Sequence, residues 1–406
     1  MRLITILGLG TATALAPIAI ATATAAESEQ TVVVTATRLT DSERALKECI
    51  ARKCPPPEDV KATLAHAENQ FVAGDYAGAR RTLLAGRGRD LRFGKDYPIE
   101  VSDLLRTTSR ISAHVGESED YRLNAIVALD TLRKGLPAND PRILAQRLEV
   151  ADADARTSRL EVGGSRIDQA LRTYSAVARD ARAIGDANIE GYALLRRLMV
   201  LQQLWLSGTG DYSGVIAETT KALTESSNPK LAEFGSAARL VNAQAAARRG
   251  DTKGLATLFE ELHRQGKTER PVLIYAPPIE LNNSPIGNGF SGNVLNRLTT
   301  NAEFDDQWID VSFWVEPDGS VNEPQILRKS KGFSGGWDKP ILRSIASRRY
   351  LPLKTDGKTP GAFRVERYTL TAYWGQVAGT RIRQREPEAR VEMLDLSVEP
   401  TGSVAS

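Results

Sequence analysis

The sequence predicts an α+β fold, with an all-α domain of paired helices followed by a small antiparallel sheet that carries one helix. From about residue 41 to residue 266, alanine, leucine and arginine dominate, β-branched runs are absent, and the breaks fall at Gly, Pro or Asp. Between Trp308 and Trp374, apolar residues alternate, then recur at helical spacing, then alternate again. At 406 residues, 41% hydrophobic and 25% charged, the chain is long enough for two or three globular domains.

The N-terminus has the layout of a secretory signal. Arg2 supplies the positive charge, residues 3–20 are apolar, and small residues around Ala25 form a cleavage site. No other apolar run reaches the roughly 20 residues that cross a bilayer, so we expect no spanning helix after cleavage. An anchor that stays uncleaved is the alternative. The predicted segments are 1–26 (signal peptide), 27–40 (extended), 41–268 (helical repeats), 269–300 (linker), 301–376 (sheet domain) and 377–406 (disordered tail).

Two cysteines, Cys49 and Cys54, lie just before a run of three prolines. In an oxidising compartment a local disulfide is the first interpretation of such a pair. It requires the preceding helix to end before Cys54, because side chains five positions apart on an unbroken helix point in different directions. The prolines favour such an end. Free or catalytic thiols are the alternative.

The helical region contains a recurring turn. Gly74-Asp75-Tyr76 and Gly210-Asp211-Tyr212 are separated by about four periods of roughly 34 residues, and the first resembles the turn inside a tetratricopeptide repeat. Helices of this kind bury one face each and must stack on their neighbours. The resemblance implies a concave surface for a protein or peptide. A packing scaffold without a ligand is the alternative.

The first predicted strand spans residues 308–315, with Ile309, Val311, Phe313 and Val315 on one face. On the opposite face, Trp308 and Trp314 either meet the helical domain or form an exposed aromatic patch. A turn ending at Gly319 leads to a second strand over residues 321–330. Since Pro324 cannot donate to a ladder, this second strand is an edge strand or is bulged there.

A helix and a last strand complete the predicted sheet domain. Trp337, Ile341, Leu342 and Ile345 recur at helical spacing, and Pro340 is tolerated in the first helical turn. The last strand covers residues 362–374. Its apolar residues fall in two phases, which predicts a bulge near residues 366–367.

This order of motifs resembles the TonB C-terminal domain family over residues 270–376, roughly a quarter of the chain. The resemblance implies a periplasmic domain that grips an extended segment of outer-membrane receptors. The residues that carry it are Val311, Phe313, Val315, Asp318, Gly319, Val321, Ser330, Gly332, Phe333, Trp337, Asp338, Ile341, Ser344, Ile345, Tyr350, Pro352, Tyr368 and Leu370.

The resemblance also implies where an extended peptide would bind. Main-chain hydrogen bonds to an open sheet edge supply affinity in this binding mode, and side-chain pockets supply specificity. The candidate peptide-binding residues all lie on the last predicted strand: Arg367, Tyr368, Thr369, Leu370, Thr371 and Tyr373.

A short β-branched run near the mature N-terminus is a candidate donor strand, comprising Val32, Val33, Val34, Thr35 and Ala36. It resembles the TonB box, the receptor segment that TonB C-terminal domains capture. One interpretation is a loosely held tail. The other is that the run pairs with the open edge of the C-terminal sheet, in the same molecule or in a neighbour.

The sequence offers no constellation for chemistry, and we expect no enzyme, no cofactor and no metal site. Its three histidines, His66, His114 and His263, lie in separate predicted helices without metal-ligand spacing, and neither a nucleophile elbow nor a phosphate-binding loop is present. A net charge of +3 argues against nucleic acid as a partner. A basic rim on the sheet domain, or alternatively an ordinary solvated face, is formed by Arg328, Lys329, Lys331, Lys339, Arg343, Arg348 and Arg349.

The expected function is that of a periplasmic adaptor that binds a protein or peptide by strand addition. The partner would be a TonB-dependent outer-membrane receptor or another envelope protein. The alternative is an energy-transducing component of TonB-type transmembrane transport. Against it, residues 3–20 lack the histidine that the family's anchor helix carries, and helices replace the family's proline-rich spacer.

Overall fold

The computed structural model describes residues 38–158, 164–281, 304, 306–355, 361–376, 383–386 and 389–397. Within these ranges, eleven α-helices precede a mainly β region, which confirms the predicted α+β layout. The helices are α1 Leu39–Ala51, α2 Pro56–Val72, α3 Tyr76–Asp90, α4 Pro98–His114, α5 Ser118–Gly135, α6 Pro141–Thr157, α7 Ser165–Ala183, α8 Ala187–Leu206, α9 Ser213–Thr224, α10 Pro229–Arg248 and α11 Lys253–Gln265.

The helices α1–α11 pack against their neighbours in sequence, and two of their turns share one arrangement. Gly74 ends α2 with a φ of +88°, a value that favours glycine, and Asp75 accepts the backbone N–H of Gly78 at 2.7 Å to begin α3. Gly185, with a φ of +77°, and Asp186 repeat this arrangement between α7 and α8. A glycine that reverses the chain and an aspartate that caps the next helix therefore explain two of the Gly-Asp pairs. The pair Gly210-Asp211 differs, because the positive φ, +71°, is at Gly208, and Asp211 accepts the N–H of Ser213 at 2.9 Å.

The two cysteines form the predicted disulfide. Helix α1 ends at Ala51 and α2 begins at Pro56, so Cys49 and Cys54 face each other across the turn with their Cα atoms 5.2 Å apart. The bridge joins the end of α1 to the start of α2, and Cys49 is buried.

The central sheet is antiparallel, with strands in the order β3-β2-β5-β8. These strands are β2 Trp308–Val315, β3 Val321–Lys329, β5 Ala362–Thr371 and β8 Arg390–Asp395, and α12 Asp338–Ala346 packs on one side. Two short pairs lie beside the sheet: β1 Leu273–Tyr275 with β4 Arg349–Tyr350, and β6 Trp374–Gln376 with β7 Arg383–Arg385.

Each face of the central sheet is buried against a different partner. Ile309 and Phe313 point to α12 and join its Ile341 in a common apolar core. On the other face, Trp308 packs against Gly74, where an added Cβ would lie within 2.9 Å of the indole. Of the two alternatives predicted for Trp308 and Trp314, contact with the helical domain therefore applies to Trp308.

The sheet lies across the early helices in a regular order. Glu392 of β8 contacts Arg156 of α6, Thr369 of β5 contacts His114 of α4, and Trp308 of β2 contacts the α2–α3 turn. Neighbouring strands therefore meet every second helix of the array, in the order α6, α4 and the end of α2.

The predicted bulge at residues 366–367 is wrong. The β2–β5 register runs unbroken from Trp308↔Thr369 to Val315↔Ala362. The two apolar phases of β5 instead serve the two buried faces of one regular strand. The irregularity lies in β3, where the register shifts twice and Glu323, just before Pro324, has a φ of +52°. The prediction of an irregular edge strand at Pro324 is confirmed.

Two predicted boundaries need correction. The segment 377–406 was expected to be a disordered tail, but β7 and β8 lie within it, and β8 completes the central sheet. The linker predicted at 269–300 contains β1, which pairs with β4. Residues 282–303 and the candidate donor strand at 32–36 lie outside the described residues.

No helix in the part of the chain that the structure describes is long and apolar enough to cross a membrane.

We predict that Gly116→Ala destabilises the protein by about 2–4 kcal/mol. Gly116 has a φ of +83°, its carbonyl accepts the Trp374 N–H at 2.8 Å, and an added Cβ would overlap the carbonyl oxygen of Ala372. The substitution therefore strains the backbone and pushes the sheet away from α4. Urea unfolding measures the change in free energy.

Gly185→Ala is the matched control for this prediction. Gly185 has a similar φ of +77°, but nothing lies within 4 Å of its added Cβ, so only the backbone cost of about 1 kcal/mol applies. Equal losses in the two variants would contradict the close approach of Gly116 to the sheet.

Candidate interaction edges of the sheet

The β5 edge, where the sequence placed the peptide-binding residues, is occupied by the chain itself. Strand β8 pairs with it from Glu366↔Asp395 to Thr371↔Arg390. The prediction of an open edge there is wrong, and the six candidate residues are all buried: Arg367, Tyr368, Thr369, Leu370, Thr371 and Tyr373. An extended peptide could reach them only after β8 had left.

Strand β8 is held by the helices as well as by β5. Leu394 is buried against Phe71 and Ile111 in the core of the first helices. Glu392 forms ion pairs of 2.7 Å with Arg156 of α6 and with Arg390 of its own strand. Burial alone would raise the pKa of the Glu392 carboxyl, but the two arginines hold this pKa below its ordinary value.

Arg367 fixes the sheet to the end of α2. Its guanidinium is fully buried, binds the Asp310 carboxylate through Nε at 2.6 Å, and donates to the Val72 carbonyl at 2.8 Å. It also stacks on the Trp308 ring, 4.0 Å from the centroid. A cation at a helix C-terminus is favoured by the free carbonyls and the helix dipole. This residue therefore anchors the sheet and is not available to a peptide.

Thr369 meets two side chains of the helical domain. Its hydroxyl lies 2.7 Å from the Tyr76 hydroxyl and 3.0 Å from Nε2 of His114. His114 is only 1% exposed, and burial lowers the pKa of its imidazole to about 4. Glu392 opposes this shift, whereas nearby arginines reinforce it. His114 is therefore neutral at pH 7.

On the opposite face, Tyr368 belongs to a second buried polar group. Arg348 binds Glu366 at 2.8 Å and donates to the Tyr368 hydroxyl at 2.6 Å, and that hydroxyl donates to Glu366. Leu370 lies beside it in the apolar core. Arg348 is thus an interior ion-pair partner, which corrects its assignment to a basic rim.

The last two candidate residues receive arginines from the segment once expected to be disordered. Arg385 donates to the Thr371 hydroxyl at 3.3 Å and to the Val115 carbonyl, just after α4, at 2.7 Å. Arg390 donates to the Tyr373 hydroxyl at 2.7 Å and to a carbonyl in the last turn of α4.

The other margin of the sheet is the outer edge of β3, and no strand among the described residues pairs with it. Ser330 donates its N–H to the Trp308 carbonyl at 2.9 Å. Because inward and outward backbone groups alternate along an antiparallel strand, the N–H and C=O of Lys329 point away from β2. Leu327, which the register with β2 skips, leaves 47% of its surface exposed.

The β3 margin is basic. Arg328 binds Asp310 at 2.6 Å, and Lys329 lies 3.6 Å from Asp338 of α12. Five of the seven residues of the predicted rim are exposed on β3, directly after it, or on α12: Arg328, Lys329, Lys331, Lys339 and Arg343. Charged side chains on an edge strand oppose pairing with a second copy of the same edge.

Trp314 and Phe363 form an aromatic pair on adjacent strands, with ring centroids 5.2 Å apart. Phe363 is 48% exposed, and Trp314 is half-buried. They share the sheet face of Trp308, at the other end of the strands. The second alternative for the tryptophans, an exposed aromatic patch, therefore applies to Trp314.

Three residues that join β8 to the helices, Arg390, Glu392 and Leu394, were not predicted from the sequence. Their alternation with Val391 and Met393 has the period of a strand, but the charges made the segment look solvated. Among the described residues, no group of three or more His, Cys, Asp or Glu side chains is arranged to hold a metal ion.

We predict that Asp310→Asn lowers the free energy of unfolding by about 3–5 kcal/mol. The substitution leaves the buried Arg367 guanidinium without its counter-charge. Arg328→Gln is the control, because it removes the exposed partner of the same carboxylate and should cost about 1 kcal/mol or less. Denaturant unfolding measures both variants, and similar losses would contradict the anchoring role of Arg367.

We predict that His114 makes stability fall as pH drops from about 6.5 towards about 4. In this window the unfolded chain binds a proton that the folded protein excludes. At pH 5 the resulting loss relative to pH 7 is about 2 kcal/mol. His114→Gln should reduce the pH 7 to pH 5 difference by this amount, as measured by urea unfolding at both pH values. An unchanged difference would show that His114 is not buried in the neutral form.

No model of a known protein family matches the chain, and no curated protein matches its sequence significantly. The resemblances to the TonB C-terminal domain and to tetratricopeptide repeats therefore stay predictions.

Proposed function

We propose that the protein is an interaction protein of the bacterial cell envelope, and that the outer edge of β3 binds an extended segment of a partner protein. The helical array would hold the sheet in a fixed position, and main-chain hydrogen bonds to β3 would supply affinity.

The observation that carries this proposal is the difference between the two margins of the sheet. Strand β8 covers the β5 margin, and α12 and the early helices pack on opposite faces. The β3 margin is unpaired within the described residues, and its Leu327 and Lys329 side chains are exposed. An unpaired edge is the part of a sheet most ready to accept another backbone.

The helical array supports the proposal as a scaffold. The sheet already contacts side chains of its early helices, including Phe71, Tyr76 and His114. A concave surface that binds a second peptide stays a hypothesis. Of the two alternatives for the array, the contacts favour packing against its own sheet.

The disulfide between Cys49 and Cys54 supports an oxidising compartment, where such bonds persist. The location in the periplasm is part of the proposal, because it also depends on the signal-like residues 1–26. The alternative function, a component of TonB-type energy transduction, depends on the resemblance alone, and no contact among the described residues favours it.

We predict that Lys329→Pro weakens partner binding at least about tenfold, because proline removes the outward N–H and places its ring at the edge. Proline is tolerated at an edge strand when its missing N–H faces outward. The measurement is the Kd for a partner captured from envelope extracts by the wild-type protein. The bound complex should also slow hydrogen exchange at residues 325–329.

Lys329→Thr is the matched control, because it removes the same charge but keeps the N–H and favours a strand. We expect its Kd to stay within about threefold of wild type, the effect of one exposed charge. Equal binding by the two variants would contradict strand addition at β3. So would the absence of any wild-type partner in envelope extracts.

A further inference from the structure

We propose that the partner segment bound at the outer edge of β3 is acidic, with carboxylate side chains at alternate positions on the side that faces α12. The inference rests on the proposed function, because it names the chemistry of the segment that the same edge would bind. Basic side chains of α12 and of β3 itself line this margin, with which no described strand pairs.

Helix α12 runs alongside β3 in the opposite direction. Lys329, the last residue of β3, lies 3.6 Å from Asp338, the first residue of α12. Near the other end, Tyr350, shortly after α12, donates its N–H at 2.8 Å to the carbonyl of Gly319, in the turn before β3. The helix therefore follows the edge strand from its end back towards its start.

Helical periodicity orients the basic residues of α12. An α-helix turns about 100° per residue, so Ile341 lies about 60° to one side of Asp338, whereas Lys339 and Arg343 lie about 100–140° to the other side. Ile341 is buried in the core, and Asp338 points to Lys329 at the edge. Lys339 and Arg343, which are both exposed, therefore lie on the solvent side of α12 above the β3 margin.

This margin carries more cationic than anionic side chains. Arg328 shares the Asp310 carboxylate with Arg367, so two guanidiniums meet one carboxylate there. The exposed Glu323 lies at the other end of β3, before Pro324. Three further cations have no ion-pair partner in the described part of the chain: Lys331, Lys339 and Arg343. Acidic side chains of a partner therefore complement the half of the margin from residue 325 to residue 331.

The spacing of the two α12 cations suits an extended segment. Lys339 and Arg343 are four residues apart, which is about 6 Å along a helix axis. Alternate side chains on one face of a strand are about 7 Å apart. Carboxylates at two alternate positions would therefore each meet one cation, while the residue between them would face the side of Arg328.

The edge favours a peptide over other anions, because main-chain groups would pair as well. The N–H and C=O of Lys329 point away from β2, and a nucleic acid or a lipid headgroup has no ladder of amide groups to match them. A second copy of β3 would bring Lys329 and Lys331 of both copies together, and their like charges oppose that pairing. An acidic strand instead combines main-chain pairing with opposite charge.

Synthetic peptides test the inference on the full-length protein. The probe is a blocked octapeptide of alternating Val and Glu, and the matched probe has Gln in place of Glu. We expect the Glu octapeptide to bind at least about tenfold more tightly at low salt, as measured by calorimetric Kd, and the difference to shrink in about 0.5 M NaCl. Equal affinities at low salt, or no binding of the Glu octapeptide, would overturn the inference.

A double variant tests the two α12 cations. Lys339→Gln with Arg343→Gln should weaken binding of the Glu octapeptide about tenfold, roughly threefold for each exposed charge. Arg172→Gln with Arg179→Gln is the control, because it removes two exposed charges from α7, which packs on α6 and α8. The control should keep the Kd within about twofold of wild type. Equal losses in the two double variants would assign the effect to net charge and reject the site.

An N-methylated Glu octapeptide keeps the charges but cannot donate main-chain hydrogen bonds. It should bind at least about tenfold more weakly than the unmethylated probe. Equal binding would show that the margin attracts polyanions of any class, nucleic acids and lipid headgroups included, and would overturn the inference.

The Lys329→Pro variant separates the inference from the proposed function. If the Glu and Gln octapeptides bind equally and Lys329→Pro weakens both, the acidic preference is wrong and strand addition at β3 stands. If Lys329→Pro weakens neither, the proposed function is wrong, and the inference falls with it.

Discussion

The structure depends on arginines of the sheet region that donate hydrogen bonds to backbone carbonyls at the ends of two helices. Arg367 donates to the Val72 carbonyl at the end of α2. At the end of α4, Arg390 donates to the Ala113 carbonyl and Arg385 donates to the Val115 carbonyl. A helix end buried without such donors would leave unpaired carbonyls, each costing about 1–3 kcal/mol. Because Asp310 and Glu392 neutralise two of these arginines, the interface is polar and still buried. The helices and the sheet are thus held together as one body.

This constraint explains why the final strand is part of the fold. Arg390 and Glu392 project to the helices, and Leu394 enters the apolar core between α2 and α4. The partners of these residues lie far away in sequence, so local composition gives a segment rich in charge that looks solvated. In the folded protein these charges are paired, because Glu392 binds Arg156 of α6 and Arg390 donates to the end of α4. The density of charged residues alone therefore does not distinguish a disordered tail from a buried strand whose charges are paired.

Much of the fold could be predicted because its signals are local. Alternation at Ile309, Val311 and Phe313 defined β2, helical spacing at Ile341 and Ile345 defined α12, and Pro324 marked an irregular edge strand. The two phases of β5 were misread because a strand buried on both faces has no single apolar phase. The candidate site on β5 was predicted from a resemblance that ends at residue 376, and such a pattern carries no information about a strand added by residues 390–395.

The pairing of β8 with the β5 edge also limits where a peptide can bind. A peptide that paired with β5 would first have to release β8. That release would leave the buried Arg156 of α6 without Glu392, at about 3–5 kcal/mol, and would expose Leu394, at about 2 kcal/mol. A penalty of about 5 kcal/mol lowers an association constant more than a thousandfold. Pairing with β3 requires no such release of described structure, and its outward backbone groups are already in a strand conformation. An incoming strand would therefore pair with the outer edge of β3, because pairing there leaves the arginine contacts of β8 intact.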